Sequence, residues 1–171
     1  QAINTQQAVD ARIGKQVTLL VVDSKRVILA PTGPLNRDYD DVRRYFDAAK
    51  QGVLEAKASG STQPAILLAN VNQDSRYKHA LEVAYLGACQ ALWQPLEARE
   101  FHGQAIEPIS QISLVGADEA MSKALNAIAA GQYAARDLCG TEPERMAPPR
   151  FADYCVELFA GSKVSVEVIS D

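Results

Sequence analysis

The chain has 171 residues, enough for one domain of ordinary size and a short excess, and its 47% apolar and 22% charged residues exclude a disordered chain. A net charge of −4, with 17 basic residues that adjoin only at Lys25-Arg26 and Arg43-Arg44, leaves no electrostatic footprint for nucleic acid. No apolar run approaches the roughly 18 residues of a membrane span, and Gln1 to Gln7 lacks the basic start and apolar core of a secretory signal.

In chain order, Val17 to Val22 is a nearly continuous apolar run rich in β-branched residues, the pattern of a strand covered on both faces. Asp23 to Arg26 supplies a turn, and Val27 to Ala30 resumes as a second strand ended by Pro31 and Gly33-Pro34, which predicts a hairpin. From Asp38 to Ala58 the apolar positions Val42, Tyr45, Phe46, Ala49, Val53 and Ala56 recur at three- and four-residue steps and predict a helix. Asp38, Asp40 and Asp41 fall at its start, where acidic side chains complement the helix dipole. Ala65 to Ala69 is again a fully apolar strand, and a polar loop from Asn70 to Ser75 leads into a helix over 76–93. Leu81, Ala84, Tyr85, Ala88 and Leu92 form its stripe, widened by Val83, Leu86 and Cys89, so it should be covered on more than one side.

Pro95 stops that helix. Leu96 to Phe101, carrying Glu97, Arg99 and Glu100, reads as a charged edge strand, and Ile109 to Val115 as a further strand. After Gly116 comes the longest helix, Asp118 to Cys139, with Met121, Leu125, Ile128, Gln132, Ala135 and Leu138 on one side and alanines elsewhere. Small side chains permit close approach, which suits a connector between domains. Then follow a Pro-rich joint over 143–149, a helix, and a strand over Val164 to Val168.

Strands alternating with long helices imply crossover connections and a mainly parallel sheet. The expected fold is α/β: a three-layer sandwich with a mainly parallel, mixed-edge sheet over residues 1–116, a connector helix over 117–139, and the first helix and strand of a second α/β domain over 140–171. A buried strand needs neighbours on both sides, yet the sequence stops at Asp171 and begins with Gln1. The expectation is a piece of a longer polypeptide.

Catalytic apparatus is sparse. The sequence holds no His-Glu-x-x-His pair, no Gly-x-Ser-x-Gly elbow, no Walker glycine loop and no Cys-x-x-Cys. Gly116 precedes a helix N-terminus, where an anion could bind, but a tight βα turn accounts for it better. Asp38, Asp40 and Asp41 could gather a divalent ion, but their place at a helix start accounts for them more simply. Glu97, Arg99, Glu100 and His102 are assigned to surface or interface contacts. Cys89 stands ten residues, about 15 Å of helix, from His79, so a core thiol and a surface histidine are expected rather than a catalytic pair. The odd number of cysteines, Cys89, Cys139 and Cys155, favours buried thiols and a reducing, cytoplasmic setting. No catalytic, cofactor-binding or metal-ligating residue is assigned to these 171 residues.

The segment from Gly131 to Leu138, the Thr-Glu-Pro turn at Thr141 to Pro143, the run Met146-x-Pro148-x-Arg150-Phe151-Ala152 and the alternating Val164 to Val168 together resemble the leucyl (cytosol) aminopeptidase family. In that family an N-terminal α/β domain similar to macro domains joins through a long helix to a catalytic domain. The motif covers residues 131–168, and the first 116 residues match by architecture alone. Members commonly read Thr-Pro-Ala-Asn-x-Met where this sequence has Thr141-Glu142-Pro143-Glu144-Arg145-Met146, which marks a divergent branch.

The resemblance implies a metalloprotease: a hydrolase that removes N-terminal residues such as Leu from peptide substrates with two divalent ions, zinc or manganese. Such ions act as Lewis acids and supply a hydroxide nucleophile. The family's metal-binding signature, Asn-Thr-Asp-Ala-Glu-Gly-Arg, is absent here, so neither ion would be bound by this chain. The family also implies a homo-hexamer, with this chain as an outer part serving assembly and access beside a companion catalytic segment; charge and apolar run length point to neither nucleic acid nor membrane as a partner. Two alternatives stand beside it: a catalytically inactive member with a structural role, and a free-standing nucleotide-binding macro-like module. Against the last stands the lack of a glycine-rich phosphate loop.

Overall fold

The structure is a computed structural model that describes residues 2–170; Gln1 and Asp171, on which the reading of the chain's ends rests, lie outside the described residues. The expected hairpin forms from β1 (Thr18–Val22) and β2 (Lys25–Leu29), antiparallel with Thr18 opposite Leu29. Its turn is tighter than expected: only Asp23 and Ser24 make it, at φ 49° and 61°, the left-handed pair of a two-residue turn whose twist matches the strands. Ahead of the hairpin lies a short helix, α1 (Ala2–Gln7), that the sequence pattern did not indicate.

The next helix, α2 (Arg43–Ala58), starts five residues later than the periodicity predicts. The cause is local: the Asp40 carboxylate takes the Arg37 N–H at 3.0 Å and Asp41 takes the Arg43 N–H at 2.9 Å. The second is an Asx turn, which competes with the helical ladder. The same device at Asp74, whose carboxylate accepts the Arg76 N–H at 2.9 Å, makes Ser75–Tyr77 a single 3₁₀ turn and delays α3 to Ala80–Leu92.

Two of the apolar runs pair only in part. β3 (Ala65–Ile66) and β4 (Ser113–Leu114) form a parallel pair, with Ala65 opposite Ser113. The fold is therefore α/β with small sheets and several helices. The β1–β2 and β3–β4 pairs are separate, whereas the sequence reading places all strands in one mainly parallel sheet.

The expected edge strand over 96–101 is a helix, α4 (Leu96–His102). Its residues Leu, Glu, Ala and Arg are good helix formers with no β-branched member, and Glu97 in the first turn and His102 in the last complement the dipole. A 3₁₀ turn (Gly103–Ile106) follows it. The connector appears as α5 (Glu119–Gly140), capped by Asp118, whose carboxylate accepts the Met121 N–H at 2.7 Å. The helix after the joint is α6 (Pro148–Phe159), with proline in its first turn as the missing N–H there permits.

The strand expected over 164–168 does not form. Val164, Val166 and Val168 are 53%, 36% and 56% exposed, and no described residue pairs with them. A lone extended segment buries neither face and satisfies no ladder, so nothing holds it as a strand.

Two helices organise the core. Tyr45, Tyr77, Ala80 and Ala84 form one cluster and Val53, Ala88 and Ile109 another, both along the α2–α3 interface. The Tyr45 and Tyr77 rings meet edge to face at 5.9 Å, Tyr77 donates its hydroxyl to Leu35 O at 2.9 Å, and Tyr45 accepts the Asn72 N–H at 3.1 Å. At the closest approach a Cβ on Gly87 would lie 2.3 Å from the Phe46 carbonyl oxygen. The two backbones touch there, and only glycine fits.

Gly87→Ala should therefore cost about 3 kcal/mol by forcing the helices apart. Gly131→Ala in α5, where a Cβ meets nothing within 4 Å, should add about 0.5–1 kcal/mol. Urea unfolding followed by circular dichroism reads both, and equal effects at the two glycines would show that the contact is not tight.

Candidate functional site

Four elements converge on one carboxylate. Asp137, in the last turn of α5 and 5% exposed, accepts the indole N–H of Trp93 at 3.0 Å, Nη2 of Arg99 at 2.5 Å and the hydroxyl of Tyr154 at 3.2 Å. Trp93 follows α3, Arg99 belongs to α4 and Tyr154 to α6, so the carboxylate ties the joint to the body of the domain. A buried charge is tolerated only when paired and hydrogen-bonded, and here three donors meet one acidic group.

The altered turn is built into the same joint. The Glu142 carboxylate accepts the N–H groups of Glu144 at 2.9 Å and Arg145 at 2.8 Å, closing the turn on itself. The Glu142 N–H donates to Glu97 at 3.2 Å, and Arg145 pairs with Glu100, holding that carboxyl below its usual range. Glu97, Arg99 and Glu100 thus make contacts between α4 and the joint. His102 takes no part: its exposed ring stacks edge-on with Phe101 at 4.8 Å.

Asp137 escaped the sequence reading because the stripe assigned to α5 was rotated. The buried positions are Leu125, Ala129 and Asp137, while Ile128 is 49% exposed. Four-residue steps from Leu125 through Ala129 and Tyr133 end on a charged residue, and a charge in register with an apolar stripe was the available signal. Between α3 and α5, Tyr133 donates its hydroxyl to Cys89 O at 2.7 Å and Tyr85 donates to Asn126 at 2.6 Å. Burial pushes both phenols up to about 12.

The second charged cluster surrounds Asp40, which is fully buried. Arg37 Nη2 reaches it at 2.7 Å and Arg44 Nη2 at 3.0 Å, while Arg76 donates to the Asp40 carbonyl at 3.1 Å. The Arg37 guanidinium above all holds the Asp40 carboxyl well below the usual range, against the opposing effect of burial. Asp41 is lowered by Arg43 and Asp74 by Arg76 in the same way. Asp40 and Asp41 therefore stand ahead of α2 rather than in its first turn, and arginines occupy them. Among the described residues no group of three His, Cys, Asp or Glu is placed to hold a metal ion.

The remaining candidates resolve simply. Gly116, at φ 96°, makes the turn between β4 and α5, and the Asp118 carboxylate already occupies the following helix N-terminus. Cys89 is buried and His79 is exposed, as expected, but Cys139 is exposed and Cys155 half-buried, so the expectation of buried thiols holds for Cys89 alone. No helix among the described residues is long and apolar enough to cross a membrane.

The described residues form an α/β body joined through the Asp137 contacts to α6. The chain is 37% identical over 159 residues, 91% of its length, to a Caenorhabditis elegans protein named "putative aminopeptidase", which supports an aminopeptidase family. It spans about 30% of that protein's length. No protein-family model and no solved structure matches the chain.

Removing the central carboxylate with Asp137→Ala strands Arg99 and should cost about 3 kcal/mol in urea unfolding. The emission of Trp93, the single tryptophan, should change with it. An unaltered spectrum would mean that the indole contact is absent in solution. The lowered Asp40, Asp41 and Asp74 carboxyls contribute stability that is complete above the ordinary carboxylate value of about 4 and is lost as pH falls toward their folded values. The urea midpoint should accordingly fall between pH 7 and pH 3, and Asp40→Asn should lower the midpoint at pH 7 while flattening that fall.

Proposed function

We propose that this chain is the N-terminal portion of a metal-dependent aminopeptidase of the leucyl type, a cytoplasmic hexamer in which an outer, macro-like α/β domain serves assembly and access while a following segment performs the chemistry. The observation that carries this reading is the 37% identity with a named aminopeptidase over nearly the whole chain, joined to the fact that only about 30% of that relative is spanned. In this reading the zinc or manganese ions are held by side chains outside these 171 residues.

The joint supports the division of labour. Tyr154 anchors α6 to Asp137, whereas Phe151, Val156 and Leu158 on the same helix are 44%, 48% and 43% exposed. An amphipathic helix fixed at one polar point and open along its apolar face suits a segment on which a second domain is built. The exposed Val164 to Val168 run then becomes the first strand of that domain's sheet.

The test is to compare this chain with the longer protein in hydrolysis of leucine 7-amido-4-methylcoumarin, each supplied with manganese or zinc. Turnover by the longer protein, abolished by 1,10-phenanthroline and absent from this chain alone, is the expected result. A longer protein that folds but neither binds metal nor turns over substrate would instead establish a structural role.

A further inference from the structure

A cleft of about 820 Å³ separates the two strand pairs, with β2 on one side, residues 65–69 on the other and α2 as its floor. Volumes of this order are those of ordinary ligand sites. Three features of its walls specify what it can take.

First, the strand at its edge has unused backbone. Ser113 N–H donates to Pro64 O at 3.0 Å and Val115 N–H to Ile66 O at 2.9 Å. Successive residues of an extended strand direct their N–H and C=O groups to opposite edges, so Ala65 and Leu67 direct theirs away from β4, toward the cleft. Leu67 is 70% exposed, and among the described residues β2 is paired only with β1. Second, the floor is built of small residues: Gly52 takes the Ala30 methyl, where an added Cβ would lie 3.1 Å away, and Ala49 is half-buried. Third, the lining includes Lys25, Arg26, whose guanidinium donates to the Ser59 carbonyl, and no carboxylate among the described residues.

We propose that this cleft binds an acidic peptide in extended conformation, inserted as an added strand between β2 and β3. Main-chain hydrogen bonds to the open edges supply register, β-branched side chains face the floor beside Ala49, and the Lys25 ammonium selects for acidic residues. The occupied cleft joins the two pairs into one sheet. The inference does not depend on the aminopeptidase reading, because an acetylated peptide has no free N-terminus to be removed.

The probe is an N-acetylated, C-amidated hexapeptide, Val-Glu-Val-Asp-Val-Ser, titrated into the 171-residue chain with residue-resolved amide hydrogen exchange as the readout. The peptide should slow exchange at Leu67 and along β2, and Lys25→Glu should weaken binding about tenfold. Leu67→Pro should abolish it by removing the edge N–H while keeping the native circular dichroism, since that group bonds nothing among the described residues and the preceding residue is already extended. Should Leu67→Pro misfold, the surface change Lys25→Glu carries the test alone. The proposal is overturned if the Leu67 amide is already protected without peptide, if a Val-Lys-Val-Lys-Val-Ser probe binds equally well, or if ADP-ribose rather than the acidic peptide protects these amides.

Discussion

The contact between Gly87 and the Phe46 carbonyl sets the geometry of everything around it. Helices whose backbones touch cannot slide or rotate without collision, so α2 and α3 act as one rigid slab. On one side of the slab Val53 and Ala88 carry Ile109 and, through Ile66 and Ile112, the parallel strand pair. At the other end Tyr45 and Tyr77 seize the loops at Leu35 and Asn72 through their hydroxyls. The slab also fixes Trp93 at the exit of α3, and so decides where the Asp137 carboxylate must be met.

Legibility in the sequence followed the strength of local signals. The hairpin, α2, α3 and α5 were readable because apolar spacing and turn residues agree with what packing demands. Element starts were misjudged at Asp40, Asp41 and Asp74, where side chains capture nearby N–H groups and postpone the helix, a choice that apolar periodicity does not register. Leu96 to His102 was misread because charge was taken as an edge-strand device when intrinsic helix preference decided the matter. Strands over 65–69 and 109–115 shrank to two paired residues each, since apolar content proposes a strand but only a partner completes one.

The joint was half legible. Glu97, Arg99 and Glu100 were recognisable as contact-making residues, but their partners lie about forty residues away and converge only in three dimensions. Charge in this chain is spent mainly on architecture: arginines answer Asp40, Asp41, Asp74 and Asp137, and Glu142 answers the N–H groups of its own turn.

The Asp137 joint also has a history in time. During synthesis the chain emerges from its N-terminus, and the α2–α3 slab, whose partners lie within about fifty residues of one another, can close early. Trp93 and Arg99 then wait for Asp137, and the carboxylate waits for Tyr154, so the last donor arrives some sixty residues after the first. The joint thus closes in order of synthesis: the α2–α3 body can consolidate first, and α6 can be fastened in place only once Tyr154 has emerged to meet Asp137.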